Sequence, residues 1–356
     1  MAFALPADFR FGVATSGFQT EGGFNGPGQP ANNWVGWERA GRVEPSGVAV
    51  DFWNRYEDHL DRAVAAGCNA YRLSVEWARC EPADGEVDDA ALDRYAAILD
   101  ACADRGLEPV VALHHYTHPE WLGTDFWLRL DSPSRLLAWA GRVVERLGSG
   151  CRRWMTVNEI NGYAVQTYVL GAFPPGRRAA NGDLVRTLDH MLTAHVWTYA
   201  AIHGRQPDAT VSTNNHASSL YELDRLLIDV LVARSRGVAR ADLRDWLVGR
   251  RAAYYAVLPP PSTPDAVLRR LTASVVPLEQ ALPRAVAAVY DSPFPRSLDL
   301  VQVDYYDPVA ARHLTELRRR PWEDAVDPAG LATYLAANVE PGLPIEVAEN
   351  GLCNRV

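Results

Sequence analysis

The sequence predicts an α/β fold in which parallel strands alternate with helices, and within that class a (β/α)8 barrel. Three observations lead there. Seven short apolar or β-branched runs alternate with long amphipathic stretches along the 356 residues. Polar residues gather just past the ends of those runs: Gln19, Arg72, His115, Asn158, Glu159, Asp304, Tyr306 and Glu349. A ring of polar groups from many strand ends is what a barrel presents at its catalytic face. Finally, no glycine-rich phosphate loop follows an early strand, which argues against a doubly wound dinucleotide fold.

The elements follow in order. Residues 9–15 read as the first strand. Residues 56–66 form a helical pattern, with Tyr56, Leu60 and Val64 at i, i+4 and i+8. A strand at 69–75 precedes a helix at 90–105, which Gly106 stops. Residues 108–114 contain Pro-Val-Val-Ala-Leu, a buried strand. A helix at 134–147 follows Pro133 and ends at Gly148. A strand at 153–157, a helix at 188–203 and a strand at 209–213 come next. Helices fill 219–250, and 259–264 is rich in turn residues. Residues 266–289 are helical in character, 298–306 a strand, 330–338 a helix and 344–348 the seventh strand. Nothing repeats at a fixed period and no low-complexity linker divides the chain. Residues 1–356 are therefore expected to form one barrel domain, although length alone would allow two.

Composition narrows the function. The chain is 48% hydrophobic and 22% charged, the balance of a globular protein rather than a disordered one. No run approaches the ~20 apolar residues of a membrane helix, and the opening residues lack the basic and apolar regions of a signal peptide. The net charge of −9 argues against a nucleic-acid surface. All 35 basic residues are Arg, so Schiff-base, P-loop and kinase-type lysine chemistry is excluded. Five cysteines, an odd number without a C-x-x-C pair, point to buried free thiols and a cytoplasmic, reducing compartment. Neither an H-E-x-x-H pattern nor a carboxylate-rich calcium loop is present, so no metal is expected. The oligomeric state is not readable.

Two strand ends carry carboxyl groups. One is Thr156-Val157-Asn158-Glu159; the other is Ile345-Glu346-Val347-Ala348-Glu349-Asn350-Gly351, where Asn-Gly turns the chain. Either Glu alone could cap a helix or join a surface ion pair. Two carboxyl groups at the mouth of one barrel imply glycoside hydrolysis. Period-two alternation puts Gln302, Asp304 and Tyr306 on one face and turns Tyr305 toward the helices. Most of the tryptophans are expected in the core.

At this point the chain resembles the family 1 glycoside hydrolases, the β-glucosidase and β-galactosidase family. Phe11-Gly12-Val13-Ala14-Thr15-Ser16-Gly17-Phe18-Gln19-Thr20-Glu21-Gly22 resembles the family's opening signature. Tyr71-Arg72-Leu73-Ser74-Val75-Glu76-Trp77-Ala78-Arg79 resembles its second-strand signature. Leu113-His114-His115-Tyr116, with Pro119 and Trp121-Leu122, resembles the third. Thr156-Val157-Asn158-Glu159 resembles the acid/base motif and Ala348-Glu349-Asn350-Gly351 the nucleophile motif. All five occur in the family's order and spacing.

The resemblance implies a retaining β-glycosidase without cofactor, acting on a β-glycoside with water as second substrate. Glu159 would be the general acid/base and Glu349 the nucleophile. Gln19 and His115 would bind hydroxyls of the terminal sugar, and Asn158 its 2-hydroxyl. Arg72 and Tyr306 would hold Glu349, the guanidinium keeping that carboxyl ionised. The charge of Glu349 would in turn keep Glu159 protonated at rest. Three departures stand out. Ile160 replaces the family's usual Pro and is expected in a turn. Asp304 replaces an Asn, adding a third carboxyl among the substrate-contacting residues. The chain also stops at Val356, where the family continues through a further helix and an eighth strand. An incomplete barrel is therefore expected, marginal in stability. A sugar-binding or inactive remnant of the family is the alternative to an enzyme.

Overall fold

The computed structural model describes residues 6, 8–276, 282–306 and 328–351. It divides into two compact units. One comprises the chain up to Thr124 with Trp139–Met155; the other comprises Asp125–Ala138 and the chain from Thr156 onward.

In the first unit, β1 (Gly12–Ala14), β2 (Ala70–Ser74), β3 (Glu108–Ala112) and β4 (Arg153–Met155) pair in parallel and in chain order. Parallel pairing needs crossover helices. α1 (Phe52–Ala65), α2 (Asp89–Asp104) and α3 (Ser132–Leu147) supply them. The Asp88 carboxylate caps α2 by accepting from the Ala91 N–H at 3.0 Å. Gly12 allows β1 its approach to β2, because a Cβ there would lie 2.5 Å from the Ala70 carbonyl oxygen. β2 is buried along its whole length. In the same unit, the rings of Trp77 and Trp139 stack 5.5 Å apart.

In the second unit, β6 (Asn214–His216), β7 (Val301–Tyr305) and β8 (Ile345–Asn350) form a parallel sheet. The strand expected at 209–213 is short, β5 (Thr210–Ser212), and β6 follows after Thr213. The Thr213 hydroxyl there donates to the Val157 carbonyl at 2.6 Å. A 25-residue helix, α5 (Asn181–Arg205), begins earlier and ends later than the periodicity predicts. Its buried His195 ring lies 2.7 Å from the Thr156 hydroxyl and donates to the Ser297 carbonyl at 2.6 Å. Burial holds that imidazole down at about 4, so it stays neutral.

Ile160 does not sit in a turn. It starts a helix, α4 (Ile160–Tyr168), because Ile160, Tyr163, Ala164, Thr167 and Tyr168 present one buried face. The helical stretch at 266–289 is two helices, Thr263–Val275 and Pro283–Asp291, with 277–281 outside the described residues. Ser262 and Asp265 form a capping box at the first of them. Trp77, Trp127, Trp139 and Trp154 are buried, as expected, and Trp34, Trp37, Trp53, Trp121 and Trp197 are part-buried. Cys68, Cys80, Cys102 and Cys151 are buried free thiols. Among the described residues, no helix is long and apolar enough to cross a membrane.

Candidate active site

The second unit gathers polar groups at the C-terminal ends of its strands. Alternation along β7 sends Val301, Val303 and Tyr305 to one face, where Tyr305 lies 5.9 Å from the Tyr334 ring. Gln302 and Asp304 point to the other. β6 runs in register, with Asn214 beside Gln302 and His216 beside Asp304. On β8, Gln302 faces Glu346 and Val303 faces Val347, but Asp304 faces Glu349. Ala348 is thus an extra residue, a β-bulge. A bulge of this kind re-aims the side chain that follows it. With Ala348 in regular pairing, period-two alternation would put Glu349 on the face of Val347, away from Asp304.

As a result, carboxylate oxygens of Glu159, Asp304 and Glu349 all lie within 4.8 Å of one another. Each meets a donor. The Tyr306 hydroxyl donates to Glu349 Oε2. The Asn214 amide donates to Asp304 Oδ2. His216 Nδ1 lies 2.9 Å from Glu159 Oε1. Burial, and then the charges of Glu349, Asp304 and Glu159, hold the Tyr306 phenol well above its ordinary range, so it remains a donor.

Glu159 is fixed through its backbone as well. It caps α4 with φ 43° and ψ 63°, a left-handed conformation that costs a non-glycine residue free energy. Its N–H donates to Asn214 Oδ1 at 2.7 Å. The same Asn214 donates to Asn158 Oδ1 at 3.1 Å. One buried amide thus ties together Asn158, Glu159 and Asp304.

Five of the eight sequence-predicted residues therefore converge in this unit: Asn158, Glu159, Asp304, Tyr306 and Glu349. The other three belong to the first unit. Arg72 and His115 are buried there, with Arg72 Nη2 and His115 Nδ1 3.4 Å apart. Gln19 is exposed on a short helical turn, Gly17–Thr20, and its amide oxygen accepts from the Ser16 hydroxyl at 2.6 Å. His114 is buried against His118, and the His118 ring donates to the Gly123 carbonyl at 3.0 Å. The residues that sequence reasoning missed are Asn214, His216, Asn161 and Asp224. For the first two, the one visible signal is the polar run Asn214-Asn215-His216 after the β-branched run at 209–213.

Parallel strands, intervening helices and carboxylates at strand ends define an α/β protein with the layout of a (β/α) barrel. Solved structures agree on the fold. The β-glycosidase from Pyrococcus horikoshii matches with a TM-score of 0.72 at 22% identity, over 99% of this chain and 78% of that one. The β-glucosidase from Thermotoga maritima in complex with cyclophellitol matches with a TM-score of 0.67 at 19% identity, over 85% and 66%. Unlike a finished TIM barrel, the strands do not close into a ring among the described residues.

The sequence itself gives the family. The model of glycosyl hydrolase family 1 matches residues 1–243, and the chain belongs to that family. Among curated relatives, 6-phospho-beta-galactosidase 1 of Streptococcus pneumoniae is 28% identical over 233 residues, 65% of this chain and 49% of the relative. Coniferin beta-glucosidase of Pinus contorta is 34% identical over 183 residues, 49% of this chain and 36% of the relative. The chain spans about half the length, or less, of these relatives.

Proposed function

We propose that this chain is a retaining β-glycosidase that removes terminal β-linked glycosyl residues, of the β-glucoside or β-galactoside type, by double displacement in a reducing, cytoplasmic setting. The observation that carries the reading is the closeness of Glu159 and Glu349, whose carboxylate oxygens lie within 4.8 Å. Retaining pairs stand about 5–5.5 Å apart and inverting pairs about 6.5–9.5 Å, the difference being room for water.

In this reading Glu349 attacks the anomeric carbon while Glu159 protonates the departing oxygen. A covalent glycosyl–Glu349 ester forms. Glu159, now ionised, takes a proton from water, and the resulting attack at the anomeric carbon frees the sugar and restores both carboxyls. Tyr306 holds the Glu349 oxygen through the cycle. Gln19, His115, Asn158 and Asp304 keep the substrate-binding roles, and Arg72 the nucleophile-orienting role, as further parts of the proposal. No cofactor enters the scheme. The 6-phospho-β-galactosidase relatives make a phosphorylated galactoside a second substrate class.

The test is release of nitrophenol from aryl β-glucosides, β-galactosides and 6-phospho-β-galactosides. Glu349→Gly should abolish release. Added azide should restore part of it and yield a glycosyl azide of inverted configuration. Glu159→Gln should slow poor leaving groups by roughly 10²–10⁴-fold and good ones far less. Undiminished activity in Glu349→Gly would overturn the nucleophile assignment. Absence of release from every aryl β-glycoside would favour the sugar-binding alternative.

A further inference from the structure

We propose that His216 is the positioning residue of the acid/base carboxyl: it binds one oxygen of Glu159, leaves the other to carry the transferable proton, and holds the pair beside the nucleophile. The proposal rests on the acid/base reading of Glu159 given above. His216 lies on β6, and neither the alternation of strands nor the family motifs point to it.

Three observations carry it. The first is the contact itself, 2.9 Å between His216 Nδ1 and Glu159 Oε1. The second is the second face of the imidazole. The ring stacks on Tyr306 at 5.9 Å with an interplanar angle of 19°, and Tyr306 is the residue whose hydroxyl binds Glu349. One histidine therefore touches the acid/base and the holder of the nucleophile. The third is the clamp on its backbone. The His216 N–H donates to Asn161 Oδ1 at 2.8 Å, and Asn161 Nδ2 donates to the His216 carbonyl at 2.7 Å. Asn161 stands two residues past Glu159, so the Glu159 segment and the end of β6 are tied in both directions. Asp224, buried, braces this joint. It accepts from Asn161 at 3.2 Å, from the Ser218 and Ser219 N–H groups, and from the hydroxyls of Tyr254 and Tyr334. A surface histidine that merely packs does not need such a frame.

The electrostatics fit a charged imidazole. The groups around His216 are Glu159, Asp224, Glu349 and its strand neighbour Asp304, with the neutral Tyr306 phenol. Burial works against the charged ring, but Glu159, by charge and hydrogen bond, and then Asp224 and Glu349 prevail and raise its pKa. The proton delivered to the leaving group comes from Glu159 and returns to Glu159 from water.

Two measurements on the full chain test this. Nitrogen-15 NMR would follow the His216 imidazole, assigned by its loss in His216→Gln. In the wild type it should titrate above the ordinary value, about 6.5. In Glu159→Gln its midpoint should fall by roughly one pH unit, because a neighbouring carboxylate is gone. Equal midpoints in the two proteins would overturn the pairing. The second measurement is the pH profile of kcat/KM. In both His216→Gln and His216→Phe the alkaline limb should move, because the hydrogen-bond partner of the acid/base carboxyl is gone. A rate lowered equally at all pH values, with the limb in place, would reduce His216 to a packing role. If Glu159→Gln keeps full activity on all leaving groups, the acid/base reading itself fails, whatever the imidazole titration gives.

Discussion

Glu159 and Gly162 form a unit that shows how tightly a single side chain is specified. The Glu159 carboxyl folds over the first turn of α4, and a Cβ on Gly162 would stand 2.6 Å from its Oε2. The atom in the way is the tip of a flexible side chain, so Gly162→Ala moves the carboxyl rather than the helix. Alanine is also the better helix former by about 1 kcal/mol. The expected outcome is a melting temperature no lower than wild type, with hydrolysis of poor leaving groups slowed by roughly tenfold to a hundredfold. Thermal unfolding and steady-state kinetics on the purified variant check both halves. Asn158 and Glu159 were legible in the sequence because they end an apolar strand with polar groups. Gly162 was not, since its role depends on a rotamer of the residue three positions earlier. His216 and Asn214 were hidden for a related reason. Each is one of several polar residues near strand ends, and only the register of β6 against β7 brings them to Glu159 and Asp304.

The sheet β6–β7–β8 owes its chemistry to one bulge. Alternation on β7 was read correctly, and Tyr305 is buried at 4% exposure on the face away from Asp304. Applied to β8, the same rule groups Glu349 with Val347 and Ile345. The bulge at Ala348 reverses that parity beside Asp304, and no local signal announces it, because Ala fits a bulge and a regular strand alike. Deletion of Ala348 leaves Glu349 directly after Val347, so regular alternation still sets it beside Asp304. The deletion variant is expected to keep part of the wild-type activity, well above the level of Glu349→Gly, with an unchanged circular dichroism spectrum. Activity as low as that of Glu349→Gly would mean that the bulge geometry itself, beyond its parity, aims the carboxyl. The helix α4 is the other lesson at this scale. Ile160 follows a polar strand end and reads as a turn residue, yet the buried face it shares with Tyr163, Ala164 and Thr167 makes the segment helical. Tertiary burial overrode a local reading.

The stability of the molecule carries a pH dependence rooted far down the chain from the carboxylate cluster. In the first unit Glu76 is 2% exposed. Its carboxylate accepts from the Thr117 hydroxyl at 2.8 Å, while Arg79 pairs instead with the buried Glu21 at 3.0 Å. Burial pushes Glu76 up to about 8, the Thr117 hydrogen bond opposing and the charge of Glu21 adding to the rise. A carboxyl whose folded pKa is raised holds a proton that the unfolded chain releases near its ordinary value, about 4.3. Its contribution to stability is full below that value and is lost as pH rises toward 8. Glu76→Gln removes the titration. The variant is expected to gain on the wild type by on the order of a few kcal/mol between pH 5 and pH 8.5, read by urea unfolding at both. A constant difference would show that Glu76 ionises freely in the folded protein. The α/β class, the order of the elements and the two strand-end glutamates were all determined by the sequence, because periodicity and polarity act locally and leave their mark residue by residue. The parity of Glu349, the helix after Glu159, the His216 contact and the burial that shifts Glu76 were decided only in three dimensions. Each depends on which strand lies beside which and on how much water is left between them, and neither quantity is encoded in any window of neighbouring residues.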